Sequence, residues 1–306
     1  MSARLVVLVT GASGRIGRSL VRLLAGLGVE RRCVDVALVP DDSPCLHCDI
    51  ADASSASALL DFCKPVTHVV HLASRAAGPK DPAQAYGPQF RLEVLGTLNL
   101  LRALPPDVRH VAYASSMTVY GAPERLPVAE DQPLRPECVC ALCKIAVEQH
   151  LEEYSRARGV PACALRLSSV YGPGASRGSA IGAMIERALR GEPPEVHGDG
   201  SARRDYLYVD DACRAFLAAA LHGVRGALNV GTGVGTSAAE LAGLIARLAG
   251  LDRPPVFVPR ERGSASLVFD IRRLAGATRF SPRVSLEDGL SRTLADLRGR
   301  GAGGSP

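Results

Sequence analysis

Three glycines spaced three apart, Gly11, Gly14 and Gly17, follow directly on the apolar run Leu5–Val9. This residue type at this spacing suits a pyrophosphate. Gly11 permits a sharp turn, Gly14 lets the backbone approach phosphate oxygens, and Gly17 lets a helix lie close on a strand. Ser13, Arg15 and Ile16 fill the turn, where a helix N-terminus offers free N–H groups and the positive end of its dipole. Further on, Asp35, Asp41 and Asp42 are three candidates for the carboxylate that accepts bonds from an adenosine ribose. A carboxylate there also repels a 2′-phosphate, which favours NAD over NADP. Cys48-Asp49-Ile50 ends the next apolar stretch, where an adenine would lie. Two thiol groupings have a spacing of chemical interest, Cys45-Leu46-His47-Cys48 and Cys138, Cys140 and Cys143. A zinc or redox centre needs more correctly spaced ligands than either supplies, so the expectation is no metal.

The chain around these residues has 306 residues, 47% hydrophobic and 22% charged, which predicts a packed α/β core. The net charge of +5 is carried by scattered arginines, with pairs at Arg31-Arg32, Arg203-Arg204 and Arg272-Arg273 and no basic tract. That distribution argues against a nucleic-acid partner and suits small anionic ligands. No apolar run reaches the ~20 residues of a membrane span. The N-terminus runs into a core strand without a leader, and the nine cysteines are an odd number. Both features predict a cytoplasmic protein with reduced thiols.

Alternating strands and helices must position the glycine turn. Strands are predicted at Leu5–Val9, Val34–Val39, near Cys48–Ile50, His68–Ala73, His110–Ser116 and Pro161–Leu167. Between them the spacing predicts helices from the glycine turn onward, at Ala53–Cys63, Pro82–Leu104 and Glu137–Arg158. This order implies a doubly wound parallel sheet over residues 1–168. Beyond Tyr171-Gly172-Pro173-Gly174, Gly and Pro rise, and helices at Ile181–Arg190, Asp210–Leu221, Ala238–Leu251 and Leu286–Leu297 alternate with short strands. The expectation is a smaller lobe over 169–298, partly interleaved with the first domain, and a flexible tail over 299–306.

Several stretches, in order, resemble the extended short-chain dehydrogenase/reductases. They are Thr10–Gly17, His71-Leu72-Ala73-Ser74, Gly96-Thr97-Leu98-Asn99-Leu100-Leu101, Ser115–Gly121, Arg166 with Val170–Gly174, Arg204–Asp211 and Asn229–Gly233. The set is similar to the NAD-dependent nucleotide-sugar epimerase/dehydratase branch and spans nearly the whole chain. The resemblance implies a Rossmann fold, bound NAD with Leu72 and Ala73 beside it, and a nucleotide-sugar substrate. It also implies a homodimer through the helices at 82–104 and 137–158. In that family a Ser/Thr, a Tyr and a Lys act together. The Tyr takes a proton from a sugar hydroxyl as hydride leaves the carbon, the Lys lowers the Tyr pKa and holds the nicotinamide ribose, and the Ser/Thr bonds the reacting oxygen. Ser116 and Lys144 match, and Lys144 is thereby implied in cofactor binding as well as catalysis. Arg204 matches an arginine facing the diphosphate, with Arg262 a second candidate and Ser169 at a substrate-contacting position.

The chain departs from the family at the Tyr, which is Cys140 here, four residues before Lys144 on one helix face. A thiol beside Lys144 is expected to favour its thiolate. Its sulfur nevertheless stops several ångströms short of a phenol oxygen, so Cys140 is either a rerouted acid–base group or inert. The family commonly has Asn at Glu93 and at Ser169. Glu93 reads as a solvated helix residue in preference to an alternative acid–base group. Met117-Thr118 stand where 4,6-dehydratases have Asp-Glu, which points toward C4-epimerisation. The resulting expectation is transient oxidation of a nucleotide-linked sugar. A sugar ketoreductase or dehydrogenase, or a non-catalytic dinucleotide-binding protein, are the alternatives.

Overall fold

In a computed structural model, residues 4–39, 41–75, 82–174, 179–259 and 265–302 are described below. The first half runs β1 (Val6–Thr10), α1 (Arg15–Gly26), β2 (Glu30–Asp35), β3 (Cys45–His47), α2 (Ala56–Cys63) and β4 (His68–His71). It continues with α3 (Pro82–Phe90), α4 (Gly96–Ala103), β5 (His110–Ser116), α5 (Val139–Arg158) and β6 (Ala162–Leu167). The second half holds β7 (Ser169–Tyr171), α6 (Ala180–Leu189), β8 (Glu195–His197), β9 (Arg203–Tyr208), α7 (Val209–Leu221) and β10 (Gly226–Val230). It ends with β11 (Gly235–Ser237), α8 (Ala238–Ala249), β12 (Val256–Val258), α9 (Arg272–Thr278) and α10 (Leu286–Ala302).

Seven strands form one parallel sheet in the order β10-β6-β5-β4-β1-β2-β3. All five residues of β1 and all six of β6 are buried, as strands covered on both faces must be. One apolar cluster packs α1 and α7 on one face (Leu20, Leu24, Phe216), and a second packs α2, α4 and α5 on the other (Leu59, Leu100, Val147). The strand order reverses between β1 and β4, and ligands of such sheets bind where it reverses, beyond the strands' carboxyl ends. Thr10, Asp35, His71 and Ser116 all lie at those ends. The edge strand β10 comes from the second half of the chain, so the two halves are interwoven.

Several boundaries differ from the sequence reading. The second strand is Glu30–Asp35, not Val34–Val39, because it pairs from Val6↔Glu30 onward. Its polar start is masked in the sequence; Arg31 pairs with Asp41 at 2.9 Å and Arg32 stacks on the Phe62 ring at 4.2 Å. The third strand is Cys45–His47, which leaves Cys48–Ile50 in the loop after it. The helix expected over 82–104 is broken by a π-helical turn at Arg91–Leu95. Pro88 lies inside α3 just before it and has no N–H to donate. The residues expected to begin a flexible tail at 299 continue α10 as far as Ala302. No described helix is long and apolar enough to cross a membrane.

Candidate active site

The turn after β1 is held open by backbone proximity. Gly11 has φ +67°, and a Cβ on it would lie 2.6 Å from the Ala73 nitrogen. A Cβ on Gly17 would lie 2.2 Å from the Gly11 carbonyl. Beside this turn lies a cleft of about 550 Å³ lined by Gly11, Ser13, Gly14, Asp35, Asp49, Ile50, Leu72, Ala73 and Ser74, among others. Of the three acidic candidates only Asp35 borders it. Its carboxylate accepts from the Ser13 N–H at 2.8 Å and the Ala37 N–H at 2.9 Å, which tie it to the glycine turn. Asp41 is taken by Arg31, and Asp42 is exposed. Arg15 turns away and donates to the Val170 carbonyl at 3.1 Å, while the Ile16 side chain packs into the core. Neither side chain lines the cleft; both residues can serve an anion only through backbone N–H groups. A glycine turn, an open helix N-terminus and a carboxylate at the end of β2 fit the two ends of a dinucleotide such as NAD.

Past Ser74 the cleft borders a buried polar cluster that the sequence reading missed. Glu93, expected to be solvated, is fully buried. The extra residue of the π turn brings both Glu93 and Val94 inward. The Glu93 carboxylate accepts from Ser74 Oγ, from Gln89 Nε2 at 3.1 Å and from the Tyr113 hydroxyl at 2.7 Å. Lys144 Nζ lies 3.5 Å from Glu93 Oε2 and 3.4 Å from the Tyr113 hydroxyl, and donates to the Ala114 carbonyl at 2.9 Å. Behind them, Thr97 donates to the Glu93 carbonyl, so His71 Nε2 donates to Thr97 (2.9 Å) and Nδ1 accepts from Thr10 (2.6 Å). Burial pushes the His71 ring down to about 4, so it is neutral near pH 7. Glu93, four residues after Gln89 and so on the same helical face, was the one signal in the sequence for this cluster.

Cys140 sits half-buried in the first turn of α5. The expectation of a favoured thiolate is overturned. Burial raises its pKa, and the nearby Glu93 charge raises it further against the opposing pull of Lys144. Ser116 ends β5 and caps a 3₁₀ turn; its Oγ accepts from the Thr118 N–H at 3.2 Å and from the Thr118 hydroxyl at 3.0 Å. Its own proton is therefore left to donate to a substrate oxygen. Ser169 begins β7 and donates to Met117 Sδ at 3.7 Å, which joins it to the Ser116 turn. Arg204 lies farther out on β9, half-buried, its backbone between Thr236 and Leu267. Arg262 lies outside the described residues. All nine cysteines are free, and no cluster able to hold a metal ion occurs among the described residues.

The profile of the NAD dependent epimerase/dehydratase family matches residues 7–231. The chain belongs to that family. It is 34% identical to the UDP-glucose 4-epimerase of Mycolicibacterium smegmatis, over 96% of this chain and 98% of that one. The family architecture is equally close in solved structures. A UDP-glucose 4-epimerase from Thermotoga maritima, crystallised with UDP-glucose, superposes with a TM-score of 0.86 at 28% identity, covering 96% of this chain and 99% of that chain. A Thermus thermophilus UDP-glucose 4-epimerase in complex with NAD gives 0.83 at 30% identity, covering 96% and 99%. The family's members are NAD-dependent enzymes of nucleotide-sugar chemistry.

Proposed function

We propose that this protein interconverts a nucleoside-diphosphate sugar by oxidising and re-reducing one ring carbon, with C4-epimerisation as the reaction. The observation that carries the reading is continuity. Ser74 lines the dinucleotide cleft, Ser74 bonds Glu93, and Glu93 pairs with Lys144. Gly11, Gly14 and the backbone at Ser13–Ile16 would hold the NAD diphosphate, with Asp35 on the adenosine ribose and Asp49 and Ile50 around the adenine. Bound NAD supplies a hydride acceptor that can return the hydride to the opposite face. Ser116 would donate its unused proton to the sugar oxygen. The hydroxyl proton lost as the hydride leaves would pass to a solvent water beside the short Cys140 side chain and return on re-reduction. Cys140 lies where the family's Tyr ring would stand, and the shorter side chain leaves room for the sugar to approach more closely. Ser169, Arg204 and Arg262 are the substrate contacts of this reading, the arginines on the diphosphate.

The same reading makes the protein a cytoplasmic homodimer. Tyr86 and Phe90, one helical turn apart on α3, are 50% and 47% exposed, and Leu95 and Leu142 on the adjoining elements are 42% and 43% exposed. Such an apolar face on two adjoining helices suits a second copy of the chain. Nine free thiols suit a reducing compartment.

The test is incubation of the purified protein with UDP-glucose and dTDP-glucose, with sugar products separated by chromatography. The reading expects a 4-epimer with no net NADH accumulation. Arg204→Ala should weaken UDP binding roughly thirtyfold, the effect of losing about 2 kcal/mol of charge-assisted bonding. Steady NADH production would mean a dehydrogenase instead. No turnover, together with UDP affinity unchanged in Arg204→Ala, would remove the substrate class.

A further inference from the structure

Lys144 is only 6% exposed, and the carboxylate paired with its ammonium, Glu93, has no exposed surface at all. Both oxygens of that carboxylate are occupied. Oε1 takes Ser74 and Gln89, and Oε2 takes Tyr113 and faces Lys144. Four donors around one carboxyl group suit the anion; a protonated acid would leave one of them without an acceptor. The other titratable groups facing this cluster are His71 from β4, Tyr113 from β5, Cys138 just before α5, and Cys140, Cys143 and Glu148 from α5. Glu148 is already paired with Arg166 at 2.7 Å. Inside the protein the Lys144 ammonium has Glu93 as its ionic partner. Residue 140 stands four positions before Lys144, on the same helix face.

We propose that Glu93 is the counter-ion of Lys144, a positioning residue that holds the ammonium against Tyr113 and Ala114 and opposes its pull on the Cys140 thiol. A free lysine four residues away would draw a thiol toward its anion. Burial is the larger influence holding the thiol neutral, and Glu93 opposes part of the lysine's pull from the other side. The two departures from the family pattern, Cys140 and Glu93, are on this account linked. Where the family's Tyr would present its own oxygen to the lysine, this chain supplies the negative charge from α3–α4 instead. The proposal deepens the reading of the site given above, but its test needs neither sugar nor turnover. It can therefore fail while the epimerase reading stands, and the reverse.

The experiment is alkylation of Cys140 with iodoacetamide from pH 6 to 10, read by mass spectrometry with fragment ions separating Cys138, Cys140 and Cys143. In the unaltered protein the midpoint for Cys140 is expected above about 9, the ordinary thiol value. Glu93→Gln should lower that midpoint by about one pH unit, roughly tenfold more thiolate near neutrality. Adding Lys144→Met to Glu93→Gln should return it upward, because the gain acts through the ammonium. Three results would overturn the proposal. One is a midpoint at or below 9 in the unaltered protein, which needs no variant to fold. The others are no change in Glu93→Gln, and a lowered midpoint that persists without Lys144.

Discussion

Lys144 is a residue whose environment, more than its identity, decides what it can do. In the sequence it matches a family lysine that acts on a cofactor ribose and a phenol. In the structure it is one half of a buried ion pair with Glu93. Removing one partner of such a pair leaves the other charge uncompensated, at a typical cost of about 3–5 kcal/mol. Lys144→Met is therefore expected both to abolish turnover and to destabilise the fold by that order. Adding Glu93→Gln removes the stranded charge and should recover most of the stability without restoring activity. Denaturant unfolding of the three variants measures this coupling directly. Equal stability of the single and double variants would show that the pair holds nothing together. Tyr113 was not readable as a partner in advance, because β5 carries three hydroxyls, Tyr113, Ser115 and Ser116, and nothing in it marks which will face a carboxylate from another element.

At the scale of the element, the proposed function assigns the cofactor preference to Asp35 at the end of β2. Asp35 is held by two backbone N–H groups at 2.8 and 2.9 Å, so its carboxylate is fixed in place before any ligand arrives. Calorimetric titration should show NAD binding more tightly than NADP. Asp35→Ser should weaken NAD by about tenfold, the loss of one or two charge-assisted bonds, and narrow the preference. Tighter NADP binding by the unaltered protein would contradict the assignment. Much of the framework around this element was legible beforehand. The glycine turn, β1 and the alternation to β6 follow from apolar periodicity and turn chemistry. Three other features were not. The polar start of β2 is stabilised by contacts across the fold, Arg31 with Asp41 and Arg32 on Phe62. The π turn at Arg91–Leu95 keeps a helical residue pattern, so periodicity does not disclose it, and Glu93 looked solvated as a result. The shift of Cys140 toward the neutral thiol depends on burial and on that same Glu93, neither of which spacing along one helix can show.

For the molecule as a whole, two histidines record how completely the sheet is covered. His71 and His110 are buried at the ends and starts of adjacent parallel strands, and burial pushes both rings down to about 4. His110 Nε2 donates to the Val224 carbonyl, a link from β5 to the segment before β10. In the unfolded chain each titrates near 6.5. Between those values the unfolded state binds more protons, so stability is full above about pH 6.5 and falls as pH drops toward 4. The two together contribute several kcal/mol, on the order of 3 each. Urea midpoints measured from pH 7.5 to 4.5 should decline accordingly, and His110→Gln should flatten part of the decline. A profile that His110→Gln leaves unaltered would place the pH sensitivity elsewhere.

The position of β10 at the outer edge of the main sheet also shapes how the protein comes into being. A chain leaves the ribosome N-terminus first, so β1, β4, β5 and β6 emerge well before residues 226–230. For the roughly 60 residues separating the end of β6 from the start of β10, one long border of a hydrophobic sheet has no neighbour. At about 5–20 residues per second that interval lasts several seconds. An unpaired strand border is a template for association with other nascent chains. Vectorial synthesis therefore exposes this enzyme to an aggregation hazard midway through translation, and the last strand of the sheet, when it docks, covers the fully buried β6 and leaves a shorter, partly exposed border in its place.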